Sequence, residues 1–403
     1  MNPASLEHGL REASVLVCAG TGGVGKTTIA AALALEAARL GRRSLVLTID
    51  PARRLADALG LDRLDSTPTP VDLSALDLPQ EACLDAMMLD AKPTFDRLIK
   101  RLTPNESERR RILDNRIYQH LSSALAGSAE YAAMEQLHEL VESGKYDLIV
   151  VDTPPADHAL DFLRTPRRLR EFLGSRFVST LVRPAMSASR IGLRLFARPL
   201  HHMLGLLERI AGVGFLDDLS EFLSAIDGLS QGFRDRATRV EEVLLGPGTG
   251  FVLISTGDEG SAKSTLEFMS QLEQFQVPLI ALIVNRMHPW PLETRPSKLL
   301  DRCRGETLER DVERLANSFT APSPSNETAR DFQAVVETLL EIATVCETEK
   351  KTVDRLVAGL AGSRLPCLLV PELSDDVDRI EGLLEIGEIL RAGSTPASGG
   401  QSS

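Results

Sequence analysis

Residues Gly20-Thr21-Gly22-Gly23-Val24-Gly25-Lys26-Thr27 satisfy the spacing G-x-x-x-x-G-K-[ST], directly after an apolar run and directly before an Ala/Leu-rich stretch from Thr28 to Leu40. Chemistry that handles phosphate needs these residue types at this spacing. The glycines let successive backbone N–H groups turn inward around phosphate oxygens, Lys26 reaches the β- and γ-phosphates, and the Thr27 hydroxyl at the helix start can ligate Mg²⁺. Gly20, Gly22, Gly23, Val24, Gly25, Lys26, Thr27 and Thr28 are therefore candidate contacts for a bound nucleotide.

Two acids close apolar runs of strand type. Asp152 ends the run 147–152 (DLIVVD), the position expected of the carboxylate that holds Mg²⁺ through water. Asp50 ends the run 44–49 and precedes Pro51-Ala52-Arg53-Arg54-Leu55. A helix cap with Pro51 at the first helical position would explain Asp50 on local grounds; an acid that orients an attacking water would explain it chemically. Arg53 and Arg54 follow closely enough to sense a γ-phosphate, and equally suit an exposed helix start.

The elements that must position these groups alternate in type. Strands are expected at 13–19, 44–49, 84–89, 147–152, 251–256, 279–284 and 366–370, most of them continuously apolar, which implies burial on both faces of a parallel sheet covered by helices. An α/β fold of this kind gathers its ligand site at the carboxyl ends of the strands. Almost a hundred residues separate the strand ending at Asp152 from the one beginning near Phe251, far more than a crossover helix needs. Leu216, Leu219, Phe222, Leu223, Ile226 and Leu229 recur at helical spacing there. The expected organisation is a core (1–160), an inserted helical subdomain (161–244), the rest of the core (245–392) and a disordered tail (393–403). A smaller helical excursion is expected over 93–141, a Pro/Ser-rich loop over 316–329, and a last helix from Asp376 to Arg391.

Of 403 residues, 43% are hydrophobic and 25% charged, which excludes wholesale disorder; the net charge of −12 argues against general nucleic-acid binding. Cys18, Cys83, Cys303, Cys346 and Cys367 are scattered without a C-x-x-C, so neither a disulfide framework nor a zinc knuckle is expected. The first residues carry acids and no apolar leader, and no apolar run approaches the roughly 18–20 residues of a spanning helix, so a soluble cytoplasmic chain is expected.

Gly22 to Thr28, Thr48-Ile49-Asp50-Pro51-Ala52, Val151-Asp152-Thr153 with Pro155 and His158, Val284-Asn285-Arg286, and Val370-Pro371-Glu372-Leu373 occur in an order that resembles the arsenite-pump and tail-anchored-protein targeting ATPase family. The resemblance covers roughly residues 12–391. It implies an eight-stranded, mostly parallel sheet, ATP and Mg²⁺ as cofactors, Asp50 positioning the hydrolytic water in a first switch, and a second switch over 152–158. It further implies adenine contact by Asn285 with Pro371 nearby, and a dimer that ATP closes and hydrolysis opens around a client bound to the helical subdomain. His158 could serve in the second switch or simply cap or pack, and Asp157 suits a cap for the helix beginning near His158.

Three departures accompany the match. Related ATPases carry a second lysine one residue after the first loop glycine, reaching across the dimer to the partner's phosphates, where this chain has Thr21. Either turnover is slower without that charge, or the charge comes from another residue or from a paralogous partner chain. The scattered cysteines do not match the metalloid or zinc sites of the family. The second switch reads Pro154-Pro155-Ala156-Asp157, adding an acid near the phosphates.

Residues 164–206 hold nine arginines and a single acid, Glu171, among large apolar groups, and seven of the 13 phenylalanines lie in 162–233. This segment suits a face for a hydrophobic, acidic or membrane-associated partner, or else a solvated basic rim over a helical core. The function classes that follow are a dimeric Mg-ATPase carrier (homodimer, or heterodimer with a paralogue), a positioning or partitioning ATPase, and a metalloid-pump subunit, the last disfavoured by the cysteines. The aliphatic composition elsewhere leads us to expect a sheet core of Val, Ile, Leu and Ala.

Overall fold

In a computed structural model, described over residues 6–50, 52–124, 128–154, 163–168, 170–171, 215–303, 326–360, 365–373, 377 and 379–393, the apolar runs form one eight-stranded sheet. Its strands are β1 (Val15–Gly20), β2 (Arg43–Thr48), β3 (Thr69–Pro70), β4 (Cys83–Met88), β5 (Leu148–Asp152), β6 (Thr249–Thr256), β7 (Leu279–Met287) and β8 (Cys367–Pro371), ordered β3-β4-β2-β5-β1-β6-β7-β8. Every pairing is parallel except β3 with β4. All seven strands expected from the sequence are present. The eighth, β3, is a two-residue edge strand containing Pro70; a proline without a ladder N–H and no apolar run leave nothing for a strand pattern to register.

Alternate residues of each strand enter two separate cores, which is why the strands read as continuous apolar runs. On one face Leu16, Cys18, Val46, Val150, Val252 and Ile254 pack beneath α1 (Leu6–Glu12), α2 (Lys26–Arg39) and the last helix, α12 (Ile380–Gly393). On the other, Val17, Leu45, Val151, Leu253 and Leu282 pack beneath α7 (Ser128–Ser143), α8 (Phe215–Leu244), α9 (Glu259–Phe275) and α11 (Asn326–Gly359). The first core contains no aromatic side chain among its buried residues. The second contains Phe251 and Phe268, so the expectation of a purely aliphatic sheet core holds for one face and is corrected on the other.

The helical excursion comprises α4 (Ala91–Leu102), α5 (Glu106–Asp114), α6 (Arg116–Ala124) and α7. Asp90 caps α4 by accepting from Lys92 N at 3.1 Å, and Asn105 caps α5 through Ser107 N at 3.0 Å. Leu98, Ile99, Ile112, Tyr118 and Tyr131 meet Leu229 and Phe233 of α8 in a third, smaller core. The apolar stripe of α8 runs on through Ala237, Val240 and Leu244 into the sheet. Helices α7 and α8, each with residues in both cores, thus tie the helical layer to the sheet.

A short α3 (Arg54–Ala58) follows β2, and α10 (Pro296–Cys303) packs on α11. Residues 326–329, expected as loop, begin α11. The final helix starts at Ile380 rather than Asp376. Most of the arginine-rich stretch 164–206, His158 and Asp157, the loop stretch before 326, and the tail from 394 lie outside the described residues.

Candidate active site

β1 has its crossover partners on both sides, with β5 and β2 to one side and β6 and β7 to the other, and the loop carrying the glycine motif leaves its carboxyl end at that switch point. Register does the assembling. Thr48 and Cys18 both pair with Asp152, and Thr256 pairs with Asn285, so five strands bring residues at or near their carboxyl ends to one edge.

Glycine is required in the loop itself. Gly25 has φ 87°, and a Cβ there would lie 2.3 Å from Asn285 Nδ2; at Gly20 a Cβ would lie 2.2 Å from the Ile254 carbonyl. Gly25 immediately precedes α2, whose first residue is Lys26. The unpaired N–H groups and positive dipole end of α2 therefore face the loop's interior, which favours an anion there. Gly22, Gly23 (φ 81°) and the buried Val24 complete the turn. Lys26 is buried to 8% exposure, and Nζ donates to the Thr21 carbonyl at 2.8 Å. Burial pushes its pKa down, against the pull of Asp152 and Asp50.

Asp152, 1% exposed, accepts through Oδ2 from two hydroxyls, Thr27 Oγ1 at 2.8 Å and Thr48 Oγ1 at 2.9 Å. Burial raises its pKa, and these two hydrogen bonds oppose the rise. Thr48 also accepts from Asp50 N at 3.2 Å, and so links the two acids. Asp50 does not cap α3. Its Oδ1 accepts from Ala52 N at 3.0 Å in a local turn, and α3 begins four residues later with Arg53 at the cap position. Pro51 lies outside the described residues.

Hydroxyl and carboxylate oxygens at one point are hard donors of the kind Mg²⁺ accepts, with the rest of its shell taken from phosphates and water. Thr27 and Asp152 thus fit the metal that the sequence suggests. Among the described residues no group of three or more His, Cys, Asp or Glu side chains could hold a metal by itself.

Beside the loop a cleft of about 640 Å³ is lined by Gly25, Thr28, Arg54, Asn285, Arg286 and Pro371 among others, within the range of a small-molecule site. The sequence candidates Thr28, Asn285 and Pro371 are brought together there. Asn285 is buried, and its Nδ2 donates to the Val24 carbonyl at 2.9 Å.

Four participants were not singled out for these roles from the sequence. Thr48 lies in one of the family-like stretches, but nothing in the sequence assigns it a role. Arg286 Nη1 donates to the Gly23 carbonyl at 3.1 Å. Ser261 Oγ lies 3.2 Å from Thr21 Oγ1 and 3.1 Å from Ser255 Oγ, so the side chain in place of the expected second lysine is tied within its own subunit. Sequence spacing carries no signal for contacts between residues 240 positions apart.

The comparisons with known proteins agree with this geometry. A family model described as anion-transporting ATPase matches residues 13–319. The chain is 25% identical over 304 residues to the ATPase GET3 of Malassezia globosa, covering 75% of this chain and 80% of that protein. It is 27% identical over 293 residues to the ATPase ARSA2 of Chlamydomonas reinhardtii, covering 72% of each. It is also 24% identical over 323 residues to the ATPase get3 of Schizosaccharomyces pombe, covering 79% of this chain and 87% of that protein. With a loop that can cradle phosphates, a hydroxyl–carboxylate pair beneath it and a match across most of its length, the chain belongs to the anion-transporting ATPase family and is an ATPase.

Proposed function

We propose that this ATPase is Mg²⁺-dependent and works as a dimeric, nucleotide-switched carrier for a hydrophobic or membrane-associated client. The observation that carries the first part is the Thr27–Asp152–Thr48 cluster under the loop. In this reading Thr27 and Asp152 hold the metal, which supplies charge neutralisation for the departing phosphate. Gly20 to Thr28 seat the phosphates, with Lys26 at the terminal ones. Asn285 and Pro371 border the adenine, and Asp50, at the loop's edge and linked through Thr48 to Asp152, orients the attacking water. Arg54 and Arg286 line the cleft, and Arg54 lowers the pKa of Lys26 by its charge, so cations besides Lys26 already stand at this site.

For the carrier function the support is the family likeness together with a helical layer built from α4 to α8, which rests on the sheet through α7 and α8. Nucleotide-driven movement of the sheet edge could be passed to that layer. The site could be completed by a second copy of this chain or by a paralogue. The positioning alternative is disfavoured by α12: Leu383, Ile386 and Leu390 are buried, and Glu381, Glu385 and Glu388 are exposed. An anionic membrane would repel that face. Among the described residues no helix is long and apolar enough to cross a membrane. The net charge of −12 gives no footing for nucleic acid, and the reading places the protein in the cytoplasm.

Affinity capture with an Asp50→Asn form, held with ATP and Mg²⁺, tests this function. Retention of nucleotide together with a second polypeptide bearing an apolar segment is the expected result. Retention of nucleotide alone under all conditions would remove the carrier reading and leave the hydrolase. Turnover of the lone chain before and after Thr21→Lys tests the partner question. Slow turnover raised by the lysine is expected if charge is normally supplied from a paralogue, whereas brisk and unchanged turnover would refute that source.

A further inference from the structure

Strand β7 loses its regularity where it meets the phosphate loop. Val284 pairs with Leu369 and Met287 with Pro371, so three steps along β7 answer two along β8. The extra residue makes a bulge, uncommon between parallel strands and frequent beside active sites, where it re-aims side chains. Within it Arg286 has φ 57°, in the left-handed region that residues with a Cβ seldom occupy. Arg286 is exposed, so packing of its side chain does not account for the conformation.

In an unbroken strand Asn285 and Arg286 would point to opposite faces. Here both reach the same loop, on adjacent carbonyls: Asn285 Nδ2 to Val24 at 2.9 Å and Arg286 Nη1 to Gly23 at 3.1 Å. Those carbonyls belong to successive peptide units. Because a trans peptide is planar with its C=O and N–H opposed, holding the Gly23 and Val24 carbonyls toward β7 turns the Val24 and Gly25 N–H groups the other way. Two phosphate-binding donors are then oriented by side chains more than 250 residues away in sequence. Gly25 is the residue that permits it, since any Cβ would displace the Asn285 amide. The opposite limb is held by the Lys26–Thr21 and Thr21–Ser261 contacts.

We infer that Arg286, acting with Asn285 from the β7 bulge, is a positioning residue that sets the direction of the loop amides for the nucleotide's phosphates. This goes beyond adenine contact by Asn285 and rests on the reading of residues 20–28 as the phosphate site.

Two variants of the full chain test it: Arg286→Asn, which removes the guanidinium while tolerating a left-handed backbone, and Arg286→Lys, which keeps the charge and a donor. Hydrogen–deuterium exchange without nucleotide should accelerate about fivefold or more in peptides covering 20–28 of the Asn variant, with peptides from the strands unchanged. Titration calorimetry should show ATP binding about tenfold weaker, and the Lys variant should recover part of both effects. Unchanged exchange and unchanged ATP affinity in the Asn variant would overturn the proposal. So would acceleration throughout the chain that lysine does not rescue, since that marks a general structural role. If the Asn variant does not fold, Arg286→Gly, unstrained at this φ, replaces it with the same expectations. Local acceleration in a protein whose wild type binds no ATP would sustain the positioning role and refute the nucleotide reading, so the two failures are separable.

Discussion

At the scale of single residues, Thr48 and Asp50 make the sharpest predictions. Thr48 donates to Asp152 and accepts from Asp50 N, so Thr48→Val keeps the shape, leaves the buried Asp152 Oδ2 with Thr27 alone and takes the acceptor from the half-buried Asp50 N. A loss of roughly 1–3 kcal/mol in urea-unfolding stability is expected, with turnover reduced by about tenfold or more. Asp50→Asn acts differently. Its side chain makes a local turn rather than a buried network, so stability should stay within about 0.5 kcal/mol while ATP turnover falls about 10²- to 10⁴-fold and ATP affinity holds. Equal losses in binding and turnover would move Asp50 out of the water-orienting role. The motif at 20–27 was legible from spacing alone because its hydrogen bonding is local. The role of Thr48 was not, because its partners come from β5 and from the loop beyond its own strand.

At the scale of elements, the loop between β1 and α2 depends on glycine for two reasons at once, positive φ and the approach of Asn285. Gly25→Ala should weaken ATP binding at least tenfold and cost more than about 1 kcal/mol of stability. At the other end of the sheet, Arg43 at the start of β2 binds Asp147 just before β5, with Nη2 to Oδ1 at 2.7 Å. These hydrogen bonds hold the Asp147 pKa down to about 2. A carboxylate depressed in the folded state stabilises above its unfolded value near 4 and loses that contribution as pH falls toward about 2. The urea midpoint of the wild type should therefore drop further than that of Asp147→Asn between about pH 4 and 2, and parallel curves would refute the clasp. The strands themselves could be placed from apolar runs; the antiparallel β3 could not, since two residues including Pro70 have no pattern to read.

At the scale of the whole molecule, the helical layer is joined to the sheet through α7 and α8, and a buried ion pair links those two helices. Arg236 Nε of α8 donates to Glu135 Oε1 of α7 at 2.6 Å, and the two side chains are 9% and 1% exposed. Removing one partner leaves a buried charge uncompensated. Arg236→Ala should cost about 3–5 kcal/mol, and the double change Glu135→Leu with Arg236→Met should restore most of it. Failure of the double change to recover stability would mean that the pair is held by more than its own charges. The sequence predicted helices in both 93–141 and the stretch around 216–229. That they close on a shared core of Leu98, Tyr118, Tyr131, Leu229 and Phe233 follows from packing across more than a hundred residues.

What the sequence determined by itself is everything whose physics is short-range: a glycine loop whose amides can bind phosphate, strands too apolar to be anything but buried on both faces, and acids at their ends. What only the tertiary structure decided is which of those ends coincide. Parallel register places Thr48 and Cys18 against Asp152. A one-residue bulge in β7 swings Arg286 beside Asn285 onto the loop. A slip of one residue in either strand would send those side chains to the opposite face. Register is set by the packing of the whole sheet between its two cores, and no local stretch of sequence contains it.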